Sequence, residues 1–119
     1  MNPKPYDLEN RLILFAVDIL KLVESFPSND VGRYYRSQMI RSGSSSALNY
    51  GEAQAAESRR DFAHKMQVVL KELRETQIAL KILALRGMGD MQEMKALQNE
   101  SGQLVAICTT IVSKVKQKK

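Results

Sequence analysis

Five polar residues recur at helical spacing near the middle of the chain and are its best candidates for a chemical role. They are Gln38, Arg41, Ser45, Asn49 and Glu52. On a helix that turns about 100° per residue they fall within a sector of about 80°, beside a face of small residues. We predict that Arg41 and Asn49 meet nearby carboxylates in a partly buried network. The predicted members are Arg41, Asn49, Glu52, Glu72 and Glu75.

This network allows two interpretations, a structural one and a functional one. Buried charges need partners, and a fully paired set can select one arrangement of helices. A small polar binding site is the alternative. We favour the structural role because the sequence pairs no nucleophile with a neighbouring base, as covalent catalysis requires. We therefore predict no catalytic residue and no enzymatic activity.

Metal binding is the other chemistry that helical bundles often support. Di-iron bundles use carboxylates and two Glu-x-x-His pairs. This chain has one histidine, His64, and the residue three positions before it is Asp61. No phosphate-binding glycine-rich loop is present, and Cys108 falls on an apolar stripe, where packing is its expected role. We predict no metal, no cofactor and no small-molecule substrate.

Length and composition describe one compact domain over residues 1–119. The chain is 44% hydrophobic and 26% charged, which is ordinary for a globular protein. No apolar run reaches the roughly 18 residues of a membrane-spanning helix. The amino end, residues 1–6, lacks the apolar region of a signal peptide, and a single cysteine cannot form an internal disulfide. We therefore expect a cytoplasmic protein without membrane contact.

The carboxyl-terminal tail contributes to a formal net charge of +5. A basic segment is typical of contact with nucleic acid. A solvated, frayed terminus has the same composition, and the tail alone leaves both interpretations open. The candidate residues for nucleic-acid contact are Lys114, Lys116, Lys118 and Lys119.

Hydrophobic periodicity predicts four helices, over residues 7–25, 31–53, 58–86 and 91–115. Similar lengths and short connections favour an all-α, antiparallel, up-down-up-down four-helix bundle. The serine-rich stretch 42–46 resembles a linker, but the apolar residues on both sides keep helical phase. Gly43, Ala47 and Gly51 recur every four residues, which predicts a seam for close helix approach. The pattern does not decide whether helices 2 and 3 are separate.

The first predicted helix is apolar over an unusually wide arc. A core-facing stripe explains most of it, but Ile13, Val17 and Leu20 extend the arc to about 220° on a wheel of 3.6 residues per turn. One bundle core does not cover so wide an arc, so these three residues are candidates for an oligomer interface. A tighter bundle whose loops cover them is the alternative.

Several segments together resemble the family of four-helix bundles encoded in intervening sequences of bacterial 23S ribosomal RNA genes. The segments are residues 41–53, 57–62 and 71–75, with the opening at 12–17 and the turn at Pro27. The resemblance covers roughly residues 6–115. The positions that match the family are Arg41, Asn49, Glu52, Asp61, Phe62, Lys65, Glu72 and Glu75, and the family assigns them no catalytic role.

The resemblance implies a four-helix protomer that assembles into a ring-like homopentamer. The family is also similar to accessory proteins of diversity-generating retroelements, which bind a reverse transcriptase and nucleic acid. Three functions remain open from the sequence. They are an oligomeric protein that binds RNA or a nucleic-acid enzyme, a scaffolding bundle with a protein partner, and a metal- or small-molecule-binding bundle.

Overall fold

The protein is all-α over residues 7–117, the part that the computed structural model describes. This described part contains four α-helices, and the predicted elements are confirmed with ends displaced by two residues or fewer. They are α1 (Leu8–Val23), α2 (Asp30–Gln54), α3 (Arg59–Arg86) and α4 (Met91–Gln117). Residues 1–6, 118 and 119, including the predicted Lys118 and Lys119, lie outside the described residues.

Local capping explains where α2, α3 and α4 begin and where α3 ends. The side chains of Asn29, Ser58 and Asp90 each accept a hydrogen bond, 2.8–3.1 Å long, from the backbone N–H three residues on. These bonds satisfy donors that a helix start leaves unpaired. Gly87 ends α3 in the left-handed conformation, with φ 81°, which glycine adopts without strain. Helices α2 and α3 are separate, because α2 ends at Gln54 and Ser58 caps the start of a new helix.

The core lies along the inward faces of all four helices. Helix α2 packs against α1 and α3, while α4 packs against α3 and α1. Residues that lie later in α2 contact residues that lie earlier in α3, since Arg41 reaches Glu72 whereas Glu52 reaches Lys65. The largest fully buried side chains include Leu12, Phe15, Ile19, Met39, Met66, Leu73, Leu80 and Leu104.

The serine-rich stretch is helical, as predicted, because α2 continues through residues 42–46. A Cβ atom on Gly43 would lie 3.1 Å from the Ile19 side chain, so a side chain there would crowd α1. Around Gly51, however, a Cβ atom would meet nothing within 4 Å. The predicted small-residue seam is therefore wrong at Gly51, because this residue lies on the exposed side of α2.

Two glycines of α2 give opposite predictions for an alanine substitution. In Gly32→Ala the new Cβ would lie 1.8 Å from the carbonyl oxygen of Pro27, so we expect a loss of about 2 kcal/mol of stability. In Gly51→Ala the site is open, and the better helix propensity of alanine should add about 0.5–1 kcal/mol. Thermal unfolding followed by circular dichroism measures both. A stable Gly32→Ala would contradict the close approach.

Cys108 is fully buried in the core, and burial raises the pKa of its thiol from 9.0 to about 11. The unfolded thiol loses its proton at lower pH than the folded one. This residue therefore destabilises the fold as pH rises from about 9 to about 11. Over that pH range, the free energy of unfolding of Cys108→Ala, measured by urea denaturation, should fall less steeply than that of the wild type. An equal change of unfolding free energy with pH in the variant and the wild type would contradict the prediction.

Candidate functional site

The charged cluster between α2 and α3 centres on Arg41. Its guanidinium donates to a carboxylate oxygen of Glu72 at 2.9 Å and also pairs with Glu75. The Glu72 side chain is only 11% exposed, whereas Arg41 is about half exposed. The hydrogen bond with Glu72, followed by the charge of Glu72, raises the pKa of Arg41 against the opposing effect of desolvation. Arg41 therefore pairs with two of the three carboxylates of α3.

The other two predicted members of this network lie elsewhere. Asn49 Nδ2 donates to the backbone oxygen of Ser45 at 2.8 Å, so its amide bonds along its own helix. Glu52 pairs with Lys65 at 2.7 Å. The prediction that Asn49 meets a carboxylate is therefore wrong, and Glu52 forms a separate pair. Sequence spacing placed these residues on one face of α2, but they lie at different heights along that helix and therefore face different parts of α3.

A buried hydroxyl pair beside Arg41 was not predicted from the sequence. Thr76 Oγ1 lies 2.7 Å from Ser42 Oγ and 2.9 Å from the backbone oxygen of Glu72. Within residues 7–117, every buried polar side-chain atom has a hydrogen-bond partner. The interface between α2 and α3 is therefore a satisfied polar contact that favours one register of the two helices.

Across the described part of the chain, no group of three or more His, Cys, Asp or Glu side chains could hold a metal ion. No helix in that same part is long and apolar enough to cross a membrane.

The outer side of α1 exposes four aliphatic side chains; three of them share one face, which we call the α1 strip, and the fourth, Leu14, lies beside it. Ile13, Val17 and Leu20 are 46%, 38% and 40% exposed. They lie at steps of four and three and therefore share one helical face. They point away from Arg11, which pairs with Glu100 of α4 at 2.7 Å. The loops within residues 7–117 leave the strip exposed.

A second, mostly apolar surface lies between α2 and α3, and we call it the α2–α3 groove; Gln38, Ser42 and Glu75 also line it. It encloses about 170 Å³. Its exposed apolar walls are Tyr34 on α2 and Ile78 and Ile82 on α3, each between 45% and 56% exposed. This groove was not predicted, because each helix contributes too few apolar residues to form a visible stripe.

Positive charge is concentrated on α3. This helix carries seven Lys or Arg residues against three Asp or Glu residues, a net charge of +4. Arg60, Arg74 and Lys81 are exposed and separated by multiples of seven residues, so they form one line about 31 Å long. The α3 carboxylates lie on other sides of the helix, and two of them are engaged by Arg41.

Helix α4 adds two cations beside this line. Lys95 and Lys116 are exposed, and they share one side of α4 with Gly102, since all three are separated by multiples of seven. Gly102 lies next to the Gln77 side chain of α3, so this side of α4 borders α3. We call the resulting surface the basic face. Its residues are Arg60, Arg74, Lys81, Lys95 and Lys116.

The predicted tail lysines are only partly associated with the basic face. Lys116 belongs to it, whereas Lys114 is exposed about 160° further round α4 at 100° per residue. The tail was a candidate for nucleic-acid contact because four lysines crowd it. The seven-residue spacing of cations in α3 was the signal that could have revealed the rest of the face.

Two comparisons find relatives of this chain. A model of the family described as 23S rRNA-intervening sequence protein matches residues 6–110. A crystal structure of a protein of unknown function, from the S23 ribosomal protein family of Bacteroides thetaiotaomicron, is similar in sequence and fold. It is 28% identical, has a TM-score of 0.81, and the match covers 88% of this chain and 97% of that one. No curated protein sequence matches the chain.

Proposed function

Because this chain belongs to the 23S rRNA-intervening sequence protein family, we propose that it is a non-enzymatic, self-associating cytoplasmic bundle that binds RNA. The observation that carries the proposal is the basic face. It presents five exposed cations on α3 and α4, and none has an ion-pair partner among the described residues. Cations in line along a helix match the charge of a phosphate backbone.

The chemistry of the basic face favours the backbone over the bases. Gln67, Gly102 and Thr109 fill the positions between its cations, so neither line carries an aromatic side chain on which an unpaired base could stack. Proteins that read single strands depend on such stacking. The expected ligand is therefore double-stranded RNA, bound with little sequence preference. The RNA choice follows the family description, which refers to an intervening sequence of 23S ribosomal RNA.

Self-association is supported by the α1 strip. Exposed apolar side chains that share one face of a helix commonly mark an interface between proteins. A pentamer is the assembly that the family resemblance implies. Within each protomer, the opposite chain order of the contacts between α2 and α3 supports the antiparallel, up-down-up-down arrangement. Assembly would also bring several basic faces together, which strengthens binding to a long polyanion.

The non-enzymatic role is supported by the way in which the polar side chains between α2 and α3 pair with one another. Arg41 and its two carboxylates hold one another in ion pairs, and the adjoining Ser42 and Thr76 hydroxyls are bonded to one another. Groups held in this way stabilise helix packing. They do not leave a base free beside a nucleophile, as general base catalysis requires.

Direct binding measurements test the proposal. Fluorescence anisotropy with a labelled RNA duplex of mixed sequence should show binding at 50 mM salt that weakens by at least tenfold at 200 mM, because cations on the protein displace counterions from the RNA. A DNA duplex and single-stranded RNA are the comparison ligands. No binding of the RNA duplex at 50 mM salt would refute the RNA function.

A scaffolding bundle is the second candidate, and the α1 strip favours it. Such a protein uses its apolar surface to hold a protein partner, for which the family resemblance suggests a reverse transcriptase. It predicts assembly measured by light scattering but no salt-sensitive RNA affinity. The two functions are thus separated by the anisotropy measurement alone.

A further inference from the structure

The α1 strip and the α2–α3 groove are two different apolar surfaces on one protomer. The strip is a convex row on α1, while the groove is a depression between α2 and α3. Helix α1 packs on α2 and α4. It does not extend beside Ile78 or Ile82, which form the α3 side of the groove. One copy therefore exposes both surfaces at once.

Charges at the ends of the strip match charges at the ends of the groove. Glu9, in the first turn of α1, and Glu24, at the C-cap of α1, are exposed and lie at the two ends of the strip. Exposed Lys71 and Arg86 lie at either end of the Ile78–Ile82 wall on α3. Among the described residues, none of these four has an ion-pair partner within the protomer.

The spacing of these charges also matches. Glu9 and Glu24 are 15 residues apart, and so are Lys71 and Arg86. At a rise of about 1.5 Å per residue, both pairs span about 22 Å. A helix that lays its apolar row in the groove can therefore place a carboxylate near a cation at each end. Complementary charge of this kind fixes the register of an interface.

We propose that the α1 strip of one copy docks into the α2–α3 groove of a second copy. This inference rests on the proposed self-association and deepens it, because it names both contacting surfaces. A contact between two different surfaces is heterologous. It leaves a free strip on one copy and a free groove on the other, so assembly continues until a ring closes.

Two single variants and their mixture test this docking. Val17→Lys places a cation in the strip, and Ile82→Lys places one in the groove. Both positions are exposed in the protomer, at 38% and 45%, so folding should persist by circular dichroism. Each variant alone should be a monomer of 13.4 kDa by light scattering, because each has lost one of the two surfaces.

The equimolar mixture provides the decisive measurement. The strip of the Ile82→Lys copy and the groove of the Val17→Lys copy are both intact, so one junction can form. The mixture should therefore give a dimer of about twice the protomer mass. No larger species should form, because the strip of the Val17→Lys copy and the groove of the Ile82→Lys copy would bring two introduced lysines together. Leu14→Lys, on the same helix but outside the strip, is the matched control and should assemble like the wild type.

The outcomes separate this inference from the proposed self-association. A monomeric wild type would refute self-association itself. An assembled wild type in which Ile82→Lys still assembles would overturn the groove while self-association stands. Two monomeric variants whose mixture stays monomeric would overturn heterologous docking. Dissociation of Leu14→Lys would overturn the assignment to the strip.

Discussion

Replacing Arg74 and Lys81 by glutamine should lower affinity for an RNA duplex by about tenfold at 50 mM salt. Both side chains are exposed on the basic face and have no ion-pair partner among the described residues, so their removal leaves no buried charge behind. For each phosphate contact that is lost, binding also releases one counterion fewer from the RNA. We therefore expect the slope of log affinity against log salt to fall by about 2.

The control for this experiment removes the same amount of charge from other surfaces. Lys21 on α1 and Lys114 on α4 are both exposed and both lie off the basic face. Lys21→Gln with Lys114→Gln has the same net charge as the test variant. Equal losses of affinity in the two double variants would show that net charge, rather than the basic face, determines binding.

Replacing Arg41 by alanine should clearly lower the stability of this protein. The Glu72 carboxylate, 11% exposed, would remain between α2 and α3 without a cation. Breaking a fully buried ion pair costs about 3–5 kcal/mol, and since about half of Arg41 is in water we expect about 2 kcal/mol. Urea denaturation measures the change in the free energy of unfolding.

Two further variants show whether the unpaired carboxylate causes that loss. Arg41→Met with Glu72→Met replaces both charges by apolar side chains of similar length, and it should recover most of the stability. Arg33→Ala breaks the pair with Asp30, whose side chain is fully exposed, and it should change little because water screens that pair. If the double variant were less stable than Arg41→Ala, the explanation would be wrong.

The helices and the candidate α1 interface were predictable because both depend on local pattern. Apolar residues at steps of three and four determine which face of a helix is buried. Capping side chains such as Asn29 and Ser58 mark the helix starts. The exposure of Val17 was predictable for the same reason, since one side of a helix faces one core and an apolar arc wider than that core remains outside.

Partner choice within the polar network was decided by the tertiary structure. Asn49 and Arg41 share a helical face, yet only Arg41 reaches the α3 carboxylates, because the relative height of two packed helices determines which side chains meet. The α2–α3 groove and the basic face each combine residues from two helices. Spacing within one helix specifies one line of side chains, and only packing places a second line beside it.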